Sequence, residues 1–196
     1  MEKQSSNLFK NWWLLSIKGL LTLAFGLIAL TLRDINQIKI VKYFCIIVLS
    51  SGVLLSVGSF FNLNKKPYWR WWFFGGLFDI LIGILIAYML TNRRIEAMAN
   101  YTEIIGVWAL VFGIMQAFTA FRFKKNSLSW IAILSSGLLA ITYTGTIIAN
   151  FMFGLNTLPG LQAKKTFIGI FAIILGCIII YSSIGIYRKH NRNSLS

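Results

Sequence analysis

The sequence predicts an all-α integral membrane bundle. Six transmembrane helices are expected, built from three helical-hairpin repeats with both termini in the cytoplasm. Three observations carry this expectation. Of the 196 residues, 57% are hydrophobic and only 12% charged, a charged fraction about half that of a soluble domain. Six apolar stretches follow one another, each of about 20 residues, enough as helix to cross a ~30 Å hydrocarbon core. A Trp-x6-Gly-x6-Gly spacing recurs in alternate stretches.

The stretches are 12–32, 40–61, 71–90, 101–123, 128–149 and 166–187. Lipid offers no partner for a free backbone amide, so each must be helical. The alternation that a barrel strand needs is absent. Short polar connections make consecutive helices antiparallel. The first stretch follows Lys3 and Lys10, but it is too long for a signal-peptide core. No small-x-small cleavage site precedes Arg33, so it is read as a retained span.

Orientation follows from counting Lys and Arg on each side. Eleven fall on the side of the termini (Lys3, Lys10, Lys65, Lys66, Arg70, Arg122, Lys124, Lys125, Arg188, Lys189, Arg192). Seven fall on the other (Arg33, Lys39, Lys42, Arg93, Arg94, Lys164, Lys165). The connection 150–165 is the longest and is expected on the outer side. The net charge of +14 lies between apolar runs with no basic recognition face. It suits anionic headgroups, not nucleic acid.

Self-similarity sets the domain organisation. The first stretch carries Trp12, Gly19 and Gly26; the third, Trp69, Gly76 and Gly83; the fifth, Trp130 and Gly137, with Thr144 and Gly145 at the last position. The even stretches repeat a glycine pair at Gly106 and Gly113 and at Gly169 and Gly176, with Cys45 and Gly52 in the second stretch. Three hairpin units follow, 12–65, 66–125 and 126–187, flanked by tails 1–11 and 188–196. The tryptophans suit the headgroup interface as anchors. The glycines lie on one stripe and let a neighbouring helix approach closely. All units start on the same side, which implies a pseudo-threefold axis along the membrane normal.

The tripled hairpin, the Trp-to-Gly-to-Gly spacing, the glycine pairs and the length resemble the HdeD family of bacterial acid-resistance membrane proteins over 12–187. The resemblance implies a bacterial inner-membrane protein of acid or stress resistance. It brings no catalytic residues and no assigned molecular activity.

Two charges interrupt the apolar pattern. Asp79 stands where the other units have Thr22 and Ala140, and Lys18 lies in the first stretch. An ionised carboxylate at mid-membrane costs at least ~2.5–3.5 kcal/mol on insertion scales, so Asp79 must face the interior. Three arrangements are open: an ion pair between Lys18 and Asp79, a neutral Asp79 with Lys18 reaching the headgroups, or a proton- or ion-handling site. Glu103 is expected at the outer boundary, and Gln116 to bond between helices. Ser135, Ser136, Thr142, Tyr143, Thr144 and Thr146 either line a polar cavity or satisfy helix carbonyls. Cys45 and Cys177 are expected as small core side chains.

The only histidine, His190, sits in the basic tail. Metal and cofactor binding and Ser–His or Cys–His catalysis are therefore not expected. No phosphate loop and no catalytic carboxylate pair is present. The chain reads as a non-enzyme with the lipid bilayer as its medium. Its candidate partners are other membrane proteins or further copies of itself, and its candidate activities extend to a scaffold, channel or transporter.

Overall fold

The computed structural model describes residues 12–31, 37–61, 69–92, 101–122, 128–153 and 160–194. Its six helices are α1 Trp12–Thr31, α2 Gln37–Phe60, α3 Trp69–Thr91, α4 Tyr101–Arg122, α5 Leu128–Phe153 and α6 Gly160–Ser194. All six are long and apolar enough to cross a membrane. The connecting segments, which hold many of the charges used to orient the chain, lie outside the described residues. So does the tail 1–11.

Some helices exceed the apolar stretches that announce them. α2 begins at Gln37, α3 at Trp69, and α5 continues to Phe153. α6 begins at Gly160, so Lys164 and Lys165 belong to a helix and not to a loop; Lys165 is buried. A backbone hydrogen-bonding ladder does not stop where hydropathy changes sign. With 35 residues α6 is longer than a span needs, and its last turns hold the tail from Arg188.

The helices close into a ring. The broadest seams join α1 to α6, α2 to α3 and α4 to α5, and narrower seams complete the circuit. The broad seams thus lie between successive repeats, and the α1–α6 seam shuts the ring. We call the face where α1, α3 and α5 begin the near face and the opposite one the far face.

Glycine makes the broad seams. A methyl placed on Gly26 would lie 2.8 Å from Gly169 O, and one on Gly176 would lie 2.9 Å from Gly19 O. Equivalent positions in the second seam put Gly52 on Gly76 O at 2.8 Å, and in the third Gly113 on Gly137 O at 2.8 Å. Those distances are too short for any side chain, so backbone meets backbone. In lipid this close approach, not hydrophobicity, holds helices together.

Where one glycine of a pair is replaced, a small polar side chain bonds the glycine opposite. Cys45 Sγ donates to Gly83 O at 3.2 Å, and Thr144 Oγ1 donates to Gly106 O at 3.0 Å. Thr144, not Gly145, is therefore the seam residue of the third unit. Gly145 is exposed, with nothing within 4 Å of an added methyl.

At the near end the α1–α6 seam is clasped. Ser183 Oγ donates to Trp12 O at 2.6 Å and lies 2.6 Å from Ser16 Oγ, and the Trp12 and Tyr187 rings are 4.7 Å apart. Trp130 is half-buried, and its indole N–H has no hydrogen-bond partner among the described residues. Trp69 opens α3, but its side chain lies outside the described residues. Cys177 departs from expectation: it is exposed on the lipid-facing side of α6, while Cys45 is buried.

Two substitutions test the seams. Gly113→Val forces side-chain atoms onto Gly137 O and should cost about 1–3 kcal/mol, read as a lower melting temperature in mild detergent. Gly145→Ala meets open space and should change stability by no more than about 1 kcal/mol.

Candidate functional site

Near mid-membrane the described interior holds a pair of opposite charges, while the other buried charge, Lys165, lies close to the far end of α6. Lys18 of α1 and Asp79 of α3 are 7% and 2% exposed. Lys18 Nζ donates to Asp79 Oδ2 at 2.5 Å. Asp79 is the eleventh residue of the 23-residue α3, which puts it near mid-membrane.

Two further helices complete the carboxylate's surroundings. Trp108 Nε1 of α4 donates to Asp79 Oδ1 at 2.9 Å. Ser51 Oγ of α2 donates to Oδ2 at 3.3 Å and also lies 3.0 Å from Val48 O. Each carboxylate oxygen thus has a donor, which a buried charge requires. Lys18 Nζ stands 5.0 Å from the centroid of the Phe112 ring, within cation–π range. Phe112 in turn stacks on Trp108 at 5.3 Å. Four helices therefore meet at one carboxylate. α1 and α3 need not touch along their length for this, because a lysine stem spans the gap.

The cluster breaks the threefold pattern. The glycine register aligns Lys18 with Gly75 and Ser136, Asp79 with Thr22 and Ala140, Ser51 with Phe112 and Leu175, and Trp108 with Ile47 and Phe171. Three pseudo-equivalent places exist, and only that between units one and two holds the full charged set. Trp108 and Ser51 do not stand out in the sequence by themselves. The signal that identifies them is their departure from their repeat partners, where the other members are mainly apolar.

Two cavities flank the pair. One, of about 60 Å³, runs toward the near face between α3 and α4, and Lys18, Asp79, Gln116 and Thr119 supply its polar lining. The other, of about 20 Å³, lies on the far side, walled by Phe25, Phe44, Trp108 and Phe171. Phe44, Ile105 and Ile168 take equivalent places in the three even helices and all line it, so it sits on the pseudo-threefold axis.

The remaining polar candidates fall outside the cluster. Gln116 is half-buried against the Gly137 stripe and lines the larger cavity, without an interhelical hydrogen bond to a described residue. Glu103 lies in the first turn of α4 and is half-buried. Five of the six α5 hydroxyls bond carbonyls of their own helix (Ser135 to Ala132, Ser136 to Ile133, Thr142 to Leu139, Thr144 to Ala140 and Thr146 to Tyr143), while the Tyr143 ring stacks on Phe171 at 4.0 Å. They line neither cavity.

Compared with known families, residues 17–88 and 96–148 match the family described as a short repeat of unknown function (DUF308). The two matched stretches cover most of units one and two and the first helix of unit three. No curated protein and no solved structure matches the chain.

Removing one partner of the pair leaves the other buried and uncompensated. Asp79→Ala should cost about 3–5 kcal/mol, and Lys18→Leu with Asp79→Leu should recover much of that loss. Trp108→Phe, which takes one donor from the carboxylate, should cost about 1–3 kcal/mol. Thermal unfolding of the three purified variants and the wild-type chain in one detergent checks the order.

Proposed function

The chain belongs to the DUF308 short-repeat family, and from that membership and the buried cluster we propose a non-enzymatic membrane protein of HdeD type, serving acid or stress resistance. It resides in the inner membrane of a bacterium, with the near face toward the cytoplasm. The excess of Lys and Arg on that side supports the orientation.

One observation carries the reading: a buried ion pair, Lys18–Asp79, lies near mid-membrane and is held by Trp108 and Ser51. Each member of this set is engaged by another. The arrangement suits a fixed electrostatic element, and it lacks the base-activated nucleophile that covalent catalysis needs. Ionisable residues within a membrane are costly and tend to be kept for function.

A second reading is favoured by the cavities. Lys18 lines both of them, which supports a small channel or transporter whose path passes the pair. A scaffolding role in a larger assembly is the third. It is marked by partners that remain with the protein after gentle solubilisation.

Survival after acid shock tests the proposal. Cells lacking the protein should survive less well, and the wild-type chain should restore survival. Asp79→Asn, at equal membrane abundance, should not. Equal survival with and without the protein would overturn the acid-resistance reading.

A further inference from the structure

The larger cavity is not explained by packing or by the ion pair. Its depth follows from its lining: Trp72 to Asp79 on α3 covers seven residues, about 10 Å of helix rise. It starts at Trp72, one turn inside the near end of α3, and at Thr119, one turn inside the near end of α4. Its inner end is formed by Lys18 and Asp79.

Two features keep it open. α3 and α4 share the narrowest of the seams between consecutive helices. Gly75, which takes the place of Lys18 in the second unit, presents no side chain. A methyl there would meet only Met115 Cε, at 3.4 Å. The crevice thus exists because the second unit has glycine where the first has lysine.

The inner end is also chemically suited to water. An ammonium carries three N–H donors, and one of those of Lys18 goes to Asp79. The Gln116 amide and the Thr119 hydroxyl lie along the same wall. A volume of 60 Å³ exceeds the ~10–15 Å³ that one water needs, and such a site must supply each water with two to four polar partners. On the far side the 20 Å³ cavity has Lys18, Thr22 and Ser51 as its polar members but is otherwise walled by apolar side chains, Phe25, Phe44, Trp108 and Phe171 among them, and the Trp108 indole is drawn onto the carboxylate.

We propose that this crevice is a hydrated dead-end vestibule, holding water against the Lys18–Asp79 pair and open to the near face alone. The facing charged groups are Lys18 from α1 and Asp79 from α3. α2 contributes Leu55 to the crevice and α4 contributes Phe112, Met115, Gln116 and Thr119, while Ser51 and Trp108 bond the carboxylate from behind; all are uncharged. The pair therefore meets water from the near side, and the smaller, mostly apolar cavity separates it from the far-side solution. This inference is independent of any part in acid survival, since solvent access is measured on the protein itself.

Thiol accessibility tests it in membrane vesicles of both orientations, with a tag marking the near face. The background is Cys45→Ser with Cys177→Ser, in which a hydroxyl keeps the bond to Gly83 O. Single cysteines are placed in the crevice (Gln116→Cys, Thr119→Cys) and at the axial cavity (Val48→Cys). The probe is a small, charged, membrane-impermeant methanethiosulfonate, which needs hydrated thiolate.

Gln116→Cys and Thr119→Cys should react from the near face at least about tenfold faster than Val48→Cys, and not from the far face. Adding Gly75→Val should slow Gln116→Cys by about tenfold while the chain stays monodisperse, because the new side chain fills the crevice. If Gln116→Cys and Thr119→Cys react no faster than Val48→Cys, or equally from both faces, the vestibule does not exist. A Gly75→Val variant that remains folded and leaves the rate unchanged overturns it equally.

Discussion

Close backbone approach in an apolar solvent is the constraint on which this structure depends. Lipid removes the hydrophobic drive between helices, leaving packing and hydrogen bonds to hold them. At three seams glycine meets glycine across the gap: Gly19 with Gly176, Gly52 with Gly76, Gly113 with Gly137. These seams join one repeat to the next, so no hairpin unit is complete alone. The Gly19–Gly176 seam returns α6 to α1 and turns a linear repeat into a closed ring. An interior then exists, and only an interior can accept a charge.

The ion pair uses what the ring provides. Its four contributing helices come from two adjacent units, and their relative positions are set by the glycine seams. A shift of one helix by a residue would take Trp108 or Ser51 away from the carboxylate. Energetically the pair is no gift to stability, since desolvation of two ions offsets much of their attraction. Its retention at one of three equivalent places argues for a specific task. The cavities around it are unequal, and the larger lies toward the near face.

Much of the architecture could be read from residue order. Helix number followed from hydropathy and length, and the seam residues from the seven-residue glycine spacing. Lys18 and Asp79 were visible because charge in an apolar run is costly. The partner of each glycine stripe was not visible, because periodicity says which face is bare and not which helix covers it. Trp108 and Ser51 were hidden for a related reason. An indole or a hydroxyl in a membrane helix is ordinary until its three-dimensional neighbour is known. The start of α6 was misplaced because Lys164 and Lys165 lower local hydropathy without ending a helix, and Cys177 because an apolar run does not reveal which of its sides meets lipid. Gln116 lines a cavity where a bond between helices was expected, since its reach decides nothing without a partner.

Ring closure by α6 on α1 is the central claim, and disulfide trapping measures it most directly. Ser16 and Ser183 lie with their Oγ atoms 2.6 Å apart. With both replaced by cysteine in a chain lacking Cys45 and Cys177, mild oxidation in native membranes should give an intramolecular disulfide, so that the two halves of a chain cleaved between α3 and α4 stay together until reduced. Halves that separate without reductant, or that link only between different chains, would contradict the closed ring and with it the enclosed site.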